Sequence, residues 1–556
     1  MAKYRGNPWA VLIVVSLGFF MTLLDLTIVN IAIPNMIDKL HASLDGVLWV
    51  INAYSLVLAV LLITCGRLGD LRGQRNLFIV GVALFTLASA ACGFSPTVGW
   101  LIAFRAVQGA GAAILMPQTL ALLTMVFPPE RRGAAFGIWG AVAGVATIAG
   151  PTLGGLLVTA FDWRYIFFIN LPIGVAVILL GIFLIPDLRT GTQHKMDIPG
   201  VVLASLALLA ICYGLVEGQR YNWGKITSFI SIPLVIGVGI ALLIVFLIVQ
   251  ARTQDQEPLV PFALFKDRNF SITNWMYCAL SVGLLGIFLP ITIYLQSALG
   301  YSALKAGLVM APSSVISMFV APVAGRLTDR IGGKYILFTG LVGFAGGMAW
   351  LAAIATPTSS WPVFIAPLVL AGFGLGCTFA PLTTTAMRNV QPRLAGAASG
   401  MLNTTRQVGS VIGTAAVGAL LENRLSATLP SALKARDAVL PPQARAALVS
   451  NFAKSAHSGA AVGTGSSNFK LPPGTPQSLA AEIGRIASEA FSYGYVSAMH
   501  QTMIMPIGLL GVTALSALFI KNTRPGGMPG RAPAGPEPAA ADAAPAGAEP
   551  SQAPAA

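Results

Sequence analysis

Leu24-Asp25-Leu26-Thr27-Ile28-Val29-Asn30-Ile31-Ala32-Ile33-Pro34 closes an apolar run that begins at Trp9, and Asp25 stands well inside it. A continuous apolar helix of this length reaches across the roughly 30 Å hydrocarbon core of a bilayer at about 1.5 Å per residue. A carboxylate in its interior costs about 2.5–3.5 kcal/mol on insertion scales, so its presence needs a reason. Two readings follow from the stretch itself. Asp25 either caps a broken helix or ties it to a neighbour, or it is a proton-binding site.

The apolar pattern recurs along the chain. Hydrophobic residues make up 55% of the 556 and charged residues only 10%, with a mean hydropathy of +0.77, which excludes a soluble globular protein. The runs are continuous, unlike the alternating segments of about ten residues that build a membrane barrel. They fall at 9–33, 46–65, 77–94, 99–126, 133–160, 164–185, 198–216, 228–250, 271–297, 305–324, 335–355, 362–387, 396–421 and 499–520. An all-α integral membrane protein of fourteen transmembrane helices is predicted. Lys3 and Arg5 precede the first run as in a signal sequence. The run is nevertheless too long, carries Asp25 and lacks a small-residue cleavage site, so it reads as an uncleaved first helix.

Positive charge is retained on the cytoplasmic side of short loops. Twenty Lys and Arg lie in the terminal segments and in loops after even-numbered spans, against five in the short loops opposite. A multi-pass protein of the cell membrane with both termini cytoplasmic is expected. The net charge of +14 is scattered over these loops, a sign of membrane topology and not of a nucleic-acid surface. Nearly all twenty acids lie in loops, tails or span edges; Asp25 is the one well inside a span. Arg105 and Arg406 are the basic residues inside spans. Glu217 and Glu422 fall at outer span ends, where a solvated terminus is the default reading and substrate contact the alternative.

Enzyme chemistry has little support. Cys65, Cys92, Cys212, Cys278 and Cys377 lie in or beside apolar runs without a C-x-x-C pair, which argues against disulfides and metal sites. His41, His194, His457 and His500 are not grouped with acids or cysteines, and no phosphate-cradling G-x-x-x-x-G-K-[ST] occurs. No cofactor or metal is expected, protons serving as the coupling ion.

One internal echo stands out: Gly66-Arg67-Leu68-Gly69-Asp70-Leu71-Arg72-Gly73-Gln74-Arg75 against Gly325-Arg326-Leu327-Thr328-Asp329-Arg330-Ile331-Gly332-Gly333-Lys334. Each follows the second span of a six-span block. Paired bundles are therefore expected at 1–186 and 252–521, with two inserted helices at 187–251, and repeats of this kind are a transporter signature. The second bundle carries an external segment at 422–498, with a Gly/Ala/Ser patch near 458–467 between helix-like stretches at 441–456 and 477–490. The tail at 522–556, rich in Pro, Ala and Gly, reads as disordered and cytoplasmic.

Taken in order, four motifs resemble those of the fourteen-span drug:proton antiporters of the major facilitator superfamily. They are the Leu24–Pro34 stretch in span one, the Gly66–Arg75 loop, Arg105-x-x-Gln108-Gly109-x-Gly111-Ala112-Ala113 in span four, and Gly150-Pro151-x-x-Gly154-Gly155 in span five. Glu257-Pro258-Leu259 with Leu264-Phe265-Lys266 is similar to the segment before span nine in that branch. Two departures occur. Leu71 stands where a basic residue usually follows Asp70, with Arg72 one place on, whereas Arg330 keeps the pattern in the echo; Ala146 stands where a Gly usually precedes Gly150.

The resemblance assigns Asp25 and Arg105 to proton coupling, and Gly66, Arg67, Asp70, Gly73, Arg75, Asp329 and Arg330 to a conformational switch. Asp70 is placed to cap a facing helix N-terminus or to pair with Arg67 or Arg75. Gly150, Gly154 and Gly155 would let span five approach a partner closely, and Pro151 would bend it, so that the motif acts as an antiporter hinge. Arg406, in Asn403-Thr404-Thr405-Arg406-Gln407-x-Gly409, is a candidate polar anchor or substrate contact in the second half. The expected activity is proton-coupled export of amphipathic small molecules, drugs or antibiotics, by alternating access. The rivals are a metabolite exporter, an uptake carrier of the same fold, and a membrane sensor that does not transport.

Overall fold

The computed structural model describes residues 6–42, 44–187, 196–218, 220–256, 258–434 and 477–521. The tail, the 441–456 stretch, the 458–467 patch and Glu257 lie outside these residues.

The long apolar runs form helices: α1 (Pro8–Leu40), α2 (Leu44–Arg72), α3 (Gln74–Gly93), α4 (Val98–Val126), α5 (Arg132–Ala160), α6 (Asn170–Leu184, continuing a short Tyr165–Phe168 helix), α7 (Ile198–Glu217) and α8 (Ile232–Arg252). The second half contributes α9 (Arg268–Ile293), α10 (Ala303–Ile331), α11 (Lys334–Ile354), α12 (Ile365–Met387), α13 (Ala395–Lys434) and α14 (Gln477–Ala517). Twelve of these described helices are long and apolar enough to cross a bilayer. The other two, α5 and α13, are long helices packed among them, α5 on α1 and α10, α13 on α2, α9 and α14, so the arrangement is compatible with fourteen spans.

Element ends follow local chemistry. Asn7 accepts from the Trp9 amide ahead of Pro8, Ser231 and Ser302 cap α8 and α10, and Asp267 caps α9 at 3.0 Å from the Phe270 amide. α13 runs beyond its expected end near 421 to Lys434. α14 begins at Gln477, well before 499, and Thr428 hydroxyl donates to the Gly494 carbonyl at 2.9 Å. Leu421, Leu425, Leu429 and Leu433, spaced four apart, are buried, which makes that extension a helix–helix seam and not a loop.

The inserted pair α7–α8 packs on α2 and α13, where Ala59, Cys212 and Val411 meet. Asp197 holds the two inserted helices together, accepting from the Gly200 amide of α7 at 2.8 Å and from the Gln250 side chain of α8.

The two halves touch along α2–α13 and α5–α10 in the same manner. Gly66 lies so close to α13 that a Cβ there would stand 2.7 Å from Gly400 Cα, and a Cβ on Gly325 would stand 2.9 Å from the Gly133 carbonyl carbon. Gly73 and Gly332, equivalent in the echo, end α2 and α10 with φ of 93° and 86°, a conformation that other residues adopt only under strain. The echo thus encodes one backbone device twice.

Candidate functional site

Asp25 and Arg105 are both fully enclosed, at 0% side-chain exposure, and form an ion pair between α1 and α4. Asp25 Oδ1 also accepts from Gln108 Nε2 at 2.9 Å and from Asn170 Nδ2 at 3.4 Å. Arg105 Nε donates to the Val50 carbonyl at 3.0 Å, its Nη1 also donates to Gln108 Oε1 at 2.8 Å, and its guanidinium lies 4.3 Å from the Tyr54 ring centroid. Asn170 in turn donates to Ser89 Oγ at 3.0 Å. Five helices, α1, α2, α3, α4 and α6, therefore converge on one carboxylate.

The local sequence explains how. Arg105 and Gln108 stand three residues apart on α4 and so share a face. Gly109 and Gly111 thin the same helix: a Cβ at Gly109 would stand 2.5 Å from the Tyr54 carbonyl oxygen, and one at Gly111 would stand 2.6 Å from the Phe85 nitrogen. The motif delivers the charge and removes the bulk that would keep α2 and α3 away. A buried pair of this kind contributes little net stability, but loss of one partner typically costs about 3–5 kcal/mol because the other charge is stranded. Arg105 Nη2, Tyr54 Oη and Asn170 Oδ1 are buried without partners among the described residues, so the cluster keeps hydrogen-bonding capacity that this arrangement does not use.

The fifth-span motif lies directly against this helix. A Cβ at Gly150 would stand 2.6 Å from Thr27 Cβ and one at Gly154 would stand 2.8 Å from Ile28 Cγ1, so α5 rests on α1 within one turn of Asp25. Ala146 occupies the variant position fully buried, its carbonyl accepting from Thr27 Oγ1 at 3.4 Å. Gly155 departs from expectation: a Cβ there would meet nothing within 4 Å, because the residue points away from the α1 contact. The backbone at Pro151 is helical and α5 runs unbroken through the motif.

Both carboxylates of the echo cap the opposite half. Asp70 accepts from the amides of Gly396 and Ala397, at the start of α13, at 2.7 and 2.8 Å, and from Gln74 Nε2 at 3.0 Å. Asp329 accepts from the amides of Gly133 and Ala134, at the start of α5, at 2.9 and 3.1 Å. Each acid satisfies orphan donors and sits at the positive end of a helix. Of the arginines left open by the sequence, Arg67 is the one electrostatically coupled to Asp70, whereas Arg75 donates to the Ile182 carbonyl at 2.7 Å within its own bundle. Arg330, despite keeping the family pattern, is exposed.

Arg132 adds a cross-link that the sequence reading assigned only to loop charge. It is buried at the start of α5 and donates to the Met387 and Arg388 carbonyls of the other half at 3.1 and 3.3 Å, and to the Thr124 carbonyl at 2.7 Å. Ser399 Oγ likewise donates to the Pro117 carbonyl at 2.7 Å. The ends of the bundles that carry Asp70 and Asp329 are thus closed against each other.

Glu217 is not a solvated terminus. It is 4% exposed and pairs with Arg220 at 3.1 Å at the end of the inserted helix α7. Glu422 is half-buried on the outer stretch of α13 and already engaged in an interaction. Arg406, on α13, comes near Tyr277 of α9 and does not contact the Asp25 cluster. Gln108, Asn170 and Tyr54 were missed. Gln108 was legible as the residue one turn from Arg105, and Asn170 as an amide within an apolar span; Tyr54 carried no signal.

The Major Facilitator Superfamily model matches residues 15–414. An uncharacterized MFS-type transporter of Mycobacterium tuberculosis is 40% identical over 78% of this chain and 74% of its own length. The tetracenomycin C resistance and export protein of Streptomyces glaucescens is 33% identical over 94% of this chain and 93% of its own length. The multidrug export protein EmrB of Escherichia coli is 33% identical over 74% and 80%, respectively. Among solved structures, the human organic anion transporter MFSD10 superposes with a TM-score of 0.56 at 12% identity, over 91% of this chain and 99% of that one, a likeness of fold.

Proposed function

Because this chain belongs to the Major Facilitator Superfamily, we propose that it is a proton-coupled antiporter that exports amphipathic small molecules, drugs or antibiotics, from the cytoplasm by alternating access. It is a secondary transporter and not an enzyme. The distribution of Lys and Arg supports cytoplasmic termini, and on that reading the closed ends at Asp70 and Asp329 are cytoplasmic.

The observation that carries this reading is the enclosed Asp25–Arg105 pair on the helix that α5 packs against. A proton arriving at Asp25 removes its charge and with it the ion pair. Arg105 then keeps the Val50 carbonyl, Gln108 and the Tyr54 ring but loses its counter-charge, so α1 and α4 are free to shift. α5 touches α1 beside Asp25 at one end and is capped by Asp329 at the other, so the same rod meets the proton site and the cytoplasmic closure. For a neutral substrate, one proton entering across about 100 mV supplies roughly 2.3 kcal/mol, enough for a gradient of about forty- to fiftyfold.

The test uses the full chain in vesicles with an imposed pH gradient. Addition of amphipathic antibiotics should release the gradient, with substrate moving opposite to the proton. Asp25→Asn should abolish this while the protein remains folded; undiminished coupling in that variant would refute the mechanism. Substrate movement in the same direction as the proton would instead make the protein an uptake carrier.

A further inference from the structure

Arg406 is the one charge in the span interiors that the proton site does not absorb. It stands on α13 eleven residues beyond Ala395, or about 16 Å along the helix, near mid-membrane. Among the described residues no carboxylate lies within ion-pair distance of it, and its electrostatic neighbour is the Tyr277 phenol. Arg406 keeps intermediate exposure, whereas Asn403, Thr404 and Gly409 beside it on α13 are buried. Tyr277 is itself buried and hydrogen-bonded through its hydroxyl to Thr383 of α12. One turn from Tyr277 on α9, Asn274 Oδ1 is buried without a partner among the described residues. One turn from Thr383, Phe379 of α12 lies beside α5 of the other half, where a Cβ at Gly140 would stand 3.9 Å from the Phe379 Cβ, a looser approach than the sub-3 Å contacts where the halves close.

Arg105 neutralises Asp25, which leaves this interior with one uncompensated positive charge. A desolvated guanidinium without a counter-ion is costly and is offset when a ligand supplies the anion. We propose that Arg406 anchors an anionic group, a carboxylate, phenolate or sulfonate, of an aromatic substrate whose ring lies toward Phe379, so that the transporter prefers anionic amphiphiles to neutral ones and neutral to cationic. This deepens the export reading and rests on it for direction only. Exchange of a monoanion for one proton carries two charges per turnover, so export of such a substrate is accelerated by an inside-negative potential.

The full chain in lipid nanodiscs is titrated with pyrenebutyrate, its neutral primary amide and a trimethylammonium analogue with the same ring, with empty discs as the lipid-partition control. The expected order is carboxylate, amide, ammonium, with at least tenfold between the first two. Arg406→Gln should bring carboxylate and amide to within twofold, and Arg406→Lys should retain part of the preference. Equal binding of carboxylate and amide by the unmodified chain overturns the proposal, as does a ratio that survives Arg406→Gln or a loss of all three probes in parallel. The ranking by the unmodified chain decides the matter even if Arg406→Gln does not fold. In pH-gradient vesicles the two readings separate. Anion binding that depends on Arg406 without proton-driven movement defeats the export reading alone, whereas proton-driven movement indifferent to probe charge defeats this one alone.

Discussion

Replacing Asp70 by Ala should open the contact between the halves at the ends of α2 and α13, and by more than the same change at Asp329 opens its own. Asp70 is 8% exposed and accepts two amide hydrogen bonds at 2.7 and 2.8 Å plus one from Gln74, so its loss strands the Gly396 and Ala397 amides in a tight interface. Charge-assisted hydrogen bonds contribute about 1.5–3 kcal/mol each, and water entering the gap recovers part, which leaves about 2–4 kcal/mol taken from the closed state. At about 1.4 kcal/mol per factor of ten, the closed-to-open ratio falls roughly thirty- to several-hundredfold. Asp329 is half-buried and its bonds are longer, at 2.9 and 3.1 Å, so a helix-cap value of about 1–2 kcal/mol applies and the ratio falls roughly five- to thirtyfold. Spin labels at Arg72→Cys and Arg393→Cys, exposed residues near the facing ends of α2 and α13, read the separation by pulsed dipolar spectroscopy. A longer-distance population should appear in Asp70→Ala and be smaller in Asp329→Ala. The reverse order, or no new population in either, would refute the assignment of these carboxylates as the closing contacts.

Two further outcomes separate residues that the sequence grouped together. Gly150→Val and Gly154→Val should lower the melting temperature and transport together, because each adds atoms where even a Cβ stands within 2.8 Å of α1, whereas Gly155→Ala should leave transport intact and stabilise the helix by up to about 1 kcal/mol; thermal unfolding and vesicle flux are the measurements. Glu217→Gln should leave proton coupling unchanged and cost the end of α7 little, because the ion pair it removes is with the exposed Arg220, and a loss of flux at unchanged stability would show that the inserted pair carries substrate.

Much of the architecture was legible because membrane insertion imposes a coarse rule: an apolar run of sufficient length becomes a spanning helix, and charge is excluded unless paired. That rule singled out Asp25 and Arg105, and their pairing follows once only one acid and two bases lie deep in the spans. The capping roles of Asp70 and Asp329 were half legible. The repeat revealed two equivalent acids, but whether each meets an arginine or a helix end depends on how the halves dock, which no local pattern encodes. Arg132 was hidden for the same reason, since its partners are main-chain carbonyls 255 and 256 residues away, and any sequence supplies those. Gly155 was misread because adjacent residues on a helix point about 100° apart, so of the Gly154–Gly155 pair only one can face α1.

The geometry divides labour between the halves in a way that neither half's sequence announces. The first half holds a carboxylate that is completely enclosed and already matched by Arg105, Gln108 and Asn170, the group to which the proposed mechanism gives the proton. The second half holds the Arg406 guanidinium, of intermediate exposure, and a buried Asn274 amide oxygen without a partner among the described residues. If proton and substrate competed directly for Asp25, the substrate would have to displace a pair that no water reaches. Coupling through structure asks less. α5 is laid on α1 at Gly150 and Gly154, crosses to α10 at Gly137 and Gly133, and ends under Asp329, so on the proposed mechanism a shift of α1 on protonation would be passed along one helix to the Asp329 contact between the halves. Four glycines make the contacts with α1 and α10, Gly150 and Gly154 against the Thr27 and Ile28 side chains and Gly137 and Gly133 against backbone, so little slack is available to absorb the motion before it reaches the far end.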